Sequence, residues 1–220
     1  CAVHVPEDGW GDAVELVAGI VERCGEQDAA VVGGDLCRTP SVAIGVTVTV
    51  LGRRAGARSD GFVSRASARA GDHLFVTGTL GGAAVAHARG DVPLPEPPDR
   101  VRAGIALAPF AAAMIDLSDG LASDVRALAR ASRVDATVDL AALPLAGEVD
   151  DPAFAATGGD DYELLLAIVP TRVEAARAAL AAVDSKLSLT LVGSLADGTG
   201  VARFVREGAT VDLPEGFVHR

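Results

Sequence analysis

The chain has 220 residues, half of them apolar and 22% charged, with a formal net charge of −11 at pH 7. Such a length and composition describe a folded chain able to bury a substantial core, in one large domain or two small ones, and exclude an extended disordered polymer. The acidic balance excludes a basic surface for nucleic acid, although carboxylates can still meet nucleotide phosphates through a divalent cation.

In chain order, apolar positions Val14, Val17, Ala18 and Val21 share one face and predict a helix over about Asp12 to Arg23. "DAAVVGGD" predicts a short strand entering a glycine turn, and "SVAIGVTVTVLG" a longer buried strand that ends before Arg53 and Arg54. That run is too short to cross a bilayer, so no membrane span is expected. The basic, glycine-containing "GRRAGARSDG", residues 52 to 61, is the best candidate for a domain boundary. "DHLFVTGTLGGAAVAHARG" has the order strand, glycine turn, helix, and the proline-rich "PLPEPPDR" leads into a helix over about Val101 to Ala108. In "MIDLSDGLASDVRALARAS" an apolar strand reaches Asp116, Asp119 follows, and helical spacing begins with Leu121, Val125 and Leu128. A strand around "DATVDL" comes next, then "DDYELLLAIVP" as a strand stopped by Pro170. "TRVEAARAALAAV" predicts a helix capped by Thr171, with Val173, Ala176, Leu180 and Val183 on one face. "LSLTLVGSL" and "ARFVREGATVDL" close the chain as strands. The class is α+β, with mixed sheets packed by helices.

Absent residue types narrow the chemistry. Lys186 is the single lysine, so no GK[ST] phosphate loop exists. Cys1, Cys24 and Cys37 lack CxxC spacing and read as reduced, cytosolic thiols, while His4, His73, His87 and His219 form no zinc-binding pair. A "VTGTLGGAA" turn fails the GxGxxG spacing of a dinucleotide site. Three glycine–acid turns remain: Gly33, Gly34 and Asp35; Asp116, Ser118 and Asp119; and Gly158, Gly159, Asp160, Asp161 and Glu163. Each has an ordinary reading: a strand-ending turn for the first, a helix cap for Asp119, and an exposed strand end for the third. Together they offer the hard oxygen donors that suit Mg²⁺ beside a nucleotide, since that ion takes one or two carboxylates plus phosphate and water.

"GGDLCRTP", "SRASARAGDHLFVTGTLGGAA", "DLSDGLASDVRALARAS" and "TGGDDYELLLAIV" resemble, in the same order, the thiamine-monophosphate kinase family of the AIR-synthetase-like (PurM-like) superfamily. The resemblance implies a PurM-like two-domain architecture, with residues 1–58 the remaining part of an N-terminal domain and 59–220 the C-terminal domain. It also implies a cytoplasmic, Mg²⁺-dependent transfer of the ATP γ-phosphoryl group to thiamine monophosphate, and a homodimer at full length. Carried over by motif, Gly34 and Asp35 contact ATP and magnesium, Arg65 an ATP phosphate, Asp116 and Asp119 magnesium, and Ser118 the nucleotide. Asp160 stands at a substrate position that is usually glutamate, and Phe217 matches a C-terminal aromatic at the thiamine ring. The family's N-terminal segment, with a GDDAAV-like motif, is expected upstream of "CAVHVPEDGW". Two further readings share these turns: another ATP-dependent enzyme of the superfamily, such as a hydrogenase-maturation protein, or a noncatalytic module that binds nucleotide and Mg²⁺.

Overall fold

The run LLLAI is a strand whose successive side chains are buried on opposite sides, and this alternation sets the layering of most of the chain. The computed structural model describes residues 1–52 and 62–214. It divides into two compact units, Cys1–Arg53 and Arg54–Arg220.

In the first unit, strand β1 (Ala2–Val5) pairs in parallel with β2 (Asp35–Arg38) and antiparallel with β3 (Gly45–Thr47). Helix α1 (Trp10–Glu26) sets Ala13 and Val17 against Val3 and Val5. The predicted apolar face is only partly used, since Val14 and Val21 are 66% and 50% exposed. The strand expected over "DAAVV" does not form: β2 begins only after the glycines, at Asp35, and β3 stops at Thr47, short of its apolar run. The reason is the partner. A ladder needs a facing strand, and β1 is four residues long, its pairing with β3 ending at Ala2 and Thr47.

The second unit contains β4 (His73–Thr77), α2 (Gly82–Arg89), α3 (Val101–Leu107), β5 (Ala111–Asp116), α4 (Leu121–Ser132) and β6 (Val134–Asp139). There follow α5 (Pro152–Thr157), β7 (Leu164–Ile168), α6 (Val173–Val183), β8 (Leu189–Asp197), β9 (Ala202–Arg206) and β10 (Ala209–Val211). The strands form one sheet in the order β10-β9-β6-β8-β4-β7-β5, antiparallel throughout except for β6 against β9. Leu74 and Val76 of β4 and Leu165 and Ala167 of β7 face the cluster that includes α4 and α5. Phe75, Leu166 and Ile168 face the opposite cluster with α3 and α6. Leu121, Val125 and Leu128 are all fully buried, as their spacing predicts for a helix laid on a sheet.

Two local expectations change. Thr171 does not cap α6: it lies in a 3₁₀ turn, Pro170–Arg172, the cap position is Arg172, and no side chain bonds to it. On α6, Ala176 and Leu180 are buried while Val183, the last residue of the helix, is about half exposed. Helix α5 was not anticipated, being only six residues long; Asp151 caps it by accepting from the Ala153 amide, and Pro152 sits at its first position. Among the described residues no helix is long and apolar enough to cross a membrane.

Candidate active site at two interlocked acidic turns

Strand β5 carries Asp116 to its exposed end, and α4 starts five residues later. The cap position of α4 is Gly120, at φ +97°, so Asp119 stands one residue before the cap and not at it. A second turn, residues 158–163, joins α5 to β7 and lies directly against the first. The Asp160 amide donates to the Ser118 carbonyl at 2.9 Å, the Tyr162 amide to the Leu117 carbonyl at 2.8 Å, and the Leu117 amide to the Glu163 carbonyl at 2.8 Å.

Glycine makes this approach possible. A Cβ on Gly120 would stand 2.7 Å from the Gly158 carbonyl oxygen, and one on Gly159 would stand 2.7 Å from the Ser118 oxygen. Asp160 and Tyr162 both adopt positive φ, +64° and +48°, a conformation costing each about 1 kcal/mol that the cross-turn hydrogen bonds hold in place. The side chains consequently converge. The Tyr162 phenol is pushed up by burial, then by the Asp160 carboxylate, to which it is hydrogen bonded, and by Asp116 and Asp119.

The third turn is not an exposed strand end. Asp161 and Glu163 are 8% and 4% exposed, and β7 begins only at Leu164. The Asp161 oxygens accept from the Gly81 amide, at 2.9 and 3.0 Å, where α2 begins. Burial nevertheless dominates and pushes its carboxyl up to about 6. Glu163 accepts from Thr77 Oγ1 at 2.6 Å and takes two parallel bonds from Arg100, Nε to Oε2 and NH2 to Oε1, both 2.6 Å. The Glu163 contact raises the Arg100 guanidinium further. Sequence reasoning passed over Arg100 as the end of a proline loop. A faint signal was there, since it occupies the cap position of α3, where the helix dipole disfavours a cation unless an acid holds it.

Asp124, in the first turn of α4, was also missed. It is 5% exposed, and its carboxyl is pushed up to about 7 by burial and by the charges of Asp119 and Asp116, against the backbone amides of Asp119 and Ser118 that bond to it. Its Oδ2 is buried with no hydrogen-bond partner among the described residues.

Asp160 also meets Nε2 of His87 at 3.0 Å, on the wall of a cleft of about 530 Å³ bounded by α2, Pro95–Pro98, Arg100 and Glu148. Arg65 is exposed beside β5: the Ser64 carbonyl accepts from the Met114 amide, and the Arg65 carbonyl from Ser132 Oγ, at the far end of α4 from Asp119. Gly34 and Asp35 belong to the first unit. A Cβ on Gly34 would meet the Cys1 carbonyl at 2.7 Å, which explains that glycine by strand packing alone. Asp35 is exposed at the start of β2 and accepts from the Cys37 thiol at 3.1 Å, which pushes that thiol up. Phe217 lies outside the described residues.

Among the described residues no three His, Cys, Asp or Glu side chains form a ready-made metal cage. Magnesium does not require one, because it keeps waters and substrate oxygens. Asp116 and Asp119 on one turn, with a buried, unpartnered Asp124 oxygen behind it, are a donor set of the right chemistry.

Residues 69–206 match the family described as AIR synthase related protein, C-terminal domain. The thiamine-monophosphate kinase of Halobacterium salinarum is 36% identical over 216 residues, covering 93% of this chain and 70% of that protein. The solved thiamine-monophosphate kinase of Stenotrophomonas maltophilia superposes with a TM-score of 0.72 at 29% identity, over 96% of this chain and 72% of its own. The structure of AaThiL complexed with AMPPCP and TMP has the same fold, TM-score 0.71 at 24% identity over 98% and 71%. The hydrogenase maturation protein HypE of E. coli, at 19% identity and TM-score 0.75 over 100% and 73%, shares the fold alone. The chain thus spans about seven tenths of these relatives, and the architecture is the PurM-like one. With a family match over most of its length and a kinase relative at 36% identity, the chain belongs to the thiamine-monophosphate kinase family, a family of kinases.

Proposed function

We propose that the chain carries out, as part of its protein, the Mg²⁺-dependent transfer of the ATP γ-phosphoryl group to thiamine monophosphate, giving thiamine diphosphate and ADP. The observation that supports this most is the interlock of the two turns, which gathers Asp116, Asp119 and Asp160 around Tyr162. A phosphate oxygen of the acceptor forms the new bond to γ-phosphorus, and the bond from that phosphorus to the β–γ bridging oxygen breaks, its electron pair leaving on ADP. The transfer is direct, so positioning and charge neutralisation carry the catalysis and the protein needs no nucleophile of its own. Magnesium supplies that neutralisation when bound. Asp116 and Asp119 are assigned to magnesium, and Asp35 of the first unit to ATP and magnesium. Ser118 meets the nucleotide, Gly34 lies near it, and Arg65 contacts an ATP phosphate.

Asp160 and Phe217 take the thiamine part. The shorter reach of aspartate at a position usually occupied by glutamate sets the acceptor closer to the Ser118 turn. The first unit is the remaining part of an N-terminal domain and residues 59–220 are the C-terminal domain, the full-length protein being a cytoplasmic homodimer. AaThiL complexed with AMPPCP and TMP supports ATP and thiamine monophosphate as the substrates.

Coupled measurement of ADP release with and without thiamine monophosphate, in Mg²⁺ and in EDTA, tests the reading. Release that requires both acceptor and metal is the expected result. ATP binding without acceptor-dependent release would assign a nucleotide-binding module instead.

A further inference from the structure

We propose that Asp124 is a positioning residue for the cation: its buried carboxylate holds the Ser118–Asp119 backbone in place and so sets the turn from which Asp116 and Asp119 gather the metal. This rests on the reading of those two residues as magnesium ligands.

Three observations lead to it. First, the backbone amides of Asp119 and Ser118 both bond to the Asp124 carboxylate, so the side chain reaches back past the cap of its own helix, which is Gly120. An acid in the first turn of a helix is ordinary where it is solvated and serves only the helix dipole. Here it serves the turn that precedes the helix, and it is 5% exposed. Secondly, Oδ2 is buried without a hydrogen-bond partner among the described residues. A buried carboxylate oxygen lacking a donor is a costly arrangement unless something cationic or hydrogen-bonding completes it. Thirdly, the charges that act most on it are those of Asp119 and Asp116, both of its own sign. Three acids crowded at the end of β5 and the start of α4 repel one another, and a divalent ion with its waters relieves all three at once. Asp124 acts through the turn and the water shell, leaving direct ligation to Asp116 and Asp119.

The test is Mn²⁺ binding, followed by the electron paramagnetic resonance of the free ion, for the whole protein and for Asp124→Asn and Asp124→Ala, with AMPPCP present. Thermal midpoints are recorded with and without metal. Asparagine keeps one oxygen for the two amides and removes the charge. We expect Asp124→Asn to hold its midpoint in the absence of metal while Mn²⁺ affinity falls about tenfold, and Asp124→Ala to lose both midpoint and affinity. In turnover the same change appears as a raised Mg²⁺ requirement, with kcat largely recovered in Asp124→Asn at high Mg²⁺. Mn²⁺ affinity in Asp124→Asn within twofold of the parent overturns the proposal and leaves a purely structural carboxylate. Failure of the parent itself to bind Mn²⁺ overturns it together with the magnesium assignment. A parent that binds Mn²⁺ but phosphorylates no thiamine monophosphate refutes the proposed reaction while the Asp124 comparison still stands.

Discussion

Replacing Gly120 by alanine probes whether the interlock of the two turns is what makes the site. Gly120 sits at φ +97°, and its added methyl would lie 2.7 Å from the Gly158 carbonyl oxygen and 3.1 Å from the Thr157 carbonyl carbon and oxygen. These are backbone atoms, so no side-chain rotation relieves the overlap. Ordinary contact requires at least 3.4 Å, and the turns must therefore separate by several tenths of an ångström. The conformational cost of a side chain at that φ is about 1–2 kcal/mol, and the forced separation of packed backbone adds a similar amount. A total of about 3 kcal/mol lowers the thermal midpoint of a chain this size by roughly 6–12 °C.

The separation also shifts Asp116 and Asp119 against Asp160. Misplacement of reacting groups by about 1 Å typically costs about a hundredfold in rate, so a loss of at least about tenfold in kcat is expected even for the protein still folded at 20 °C. The matched control is Gly90→Ala, also at positive φ, +73°, but with nothing within 4 Å of the added carbon. It carries the conformational cost alone and leaves turnover unchanged. Differential scanning fluorimetry and the coupled ADP assay on both variants decide the matter. Gly120→Ala behaving like Gly90→Ala in both measurements would refute the claim that close backbone contact builds the site.

Asp116→Asn and Asp119→Asn should leave the thermal midpoint almost unchanged, since asparagine keeps a side-chain oxygen at each position and removes only the charge, while kinase activity falls at least about tenfold, a barrier rise of roughly 1.4 kcal/mol; near-normal turnover at saturating Mg²⁺ would return this turn to a structural role. Arg100→Ala strands Glu163 at 4% exposure with Thr77 as its remaining side-chain donor, and unfolding in urea should show a loss of about 3 kcal/mol, with Arg100→Lys intermediate because it keeps the charge and not the paired bonds. An unchanged midpoint in Arg100→Ala would contradict that account. Burial pushes the Asp161 carboxyl up to about 6, above its ordinary value of roughly 3.9, so the folded state holds the proton more tightly; the associated stability is complete below about pH 4 and lost as pH rises through 6. Asp161→Asn should flatten that part of the stability profile, and a profile parallel to the parent between pH 4 and 6 would show the group does not titrate there.

Local patterns carried a large part of this protein in legible form. The spacing of Leu121, Val125 and Leu128 specifies α4, the alternation in LLLAI specifies β7, and glycine followed by acid marks each turn of the site, because periodicity and turn chemistry act over a few residues. The order of those turns also identified the family. The extent of β3 was not legible, since its apolar run continues past the point where β1 ceases to offer a partner. Nor was the burial of Asp161 and Glu163, whose charges suggest exposure until Gly81 and Arg100 are brought to them from some 60 to 80 residues away in sequence. Asp124 looked like any acid near a helix start, and only its burial beside Ser118 and Asp119 sets it apart. Sequence alone therefore marked the glycine–acid turns and most of the helices and strands of the second unit. Only the tertiary structure decided that the turn after β5 and the turn before β7 meet backbone to backbone, because antiparallel pairing of those two strands brings their ends together. Packing and desolvation then act on charges that have no knowledge of each other along the chain, and that is where the buried acids acquire their roles.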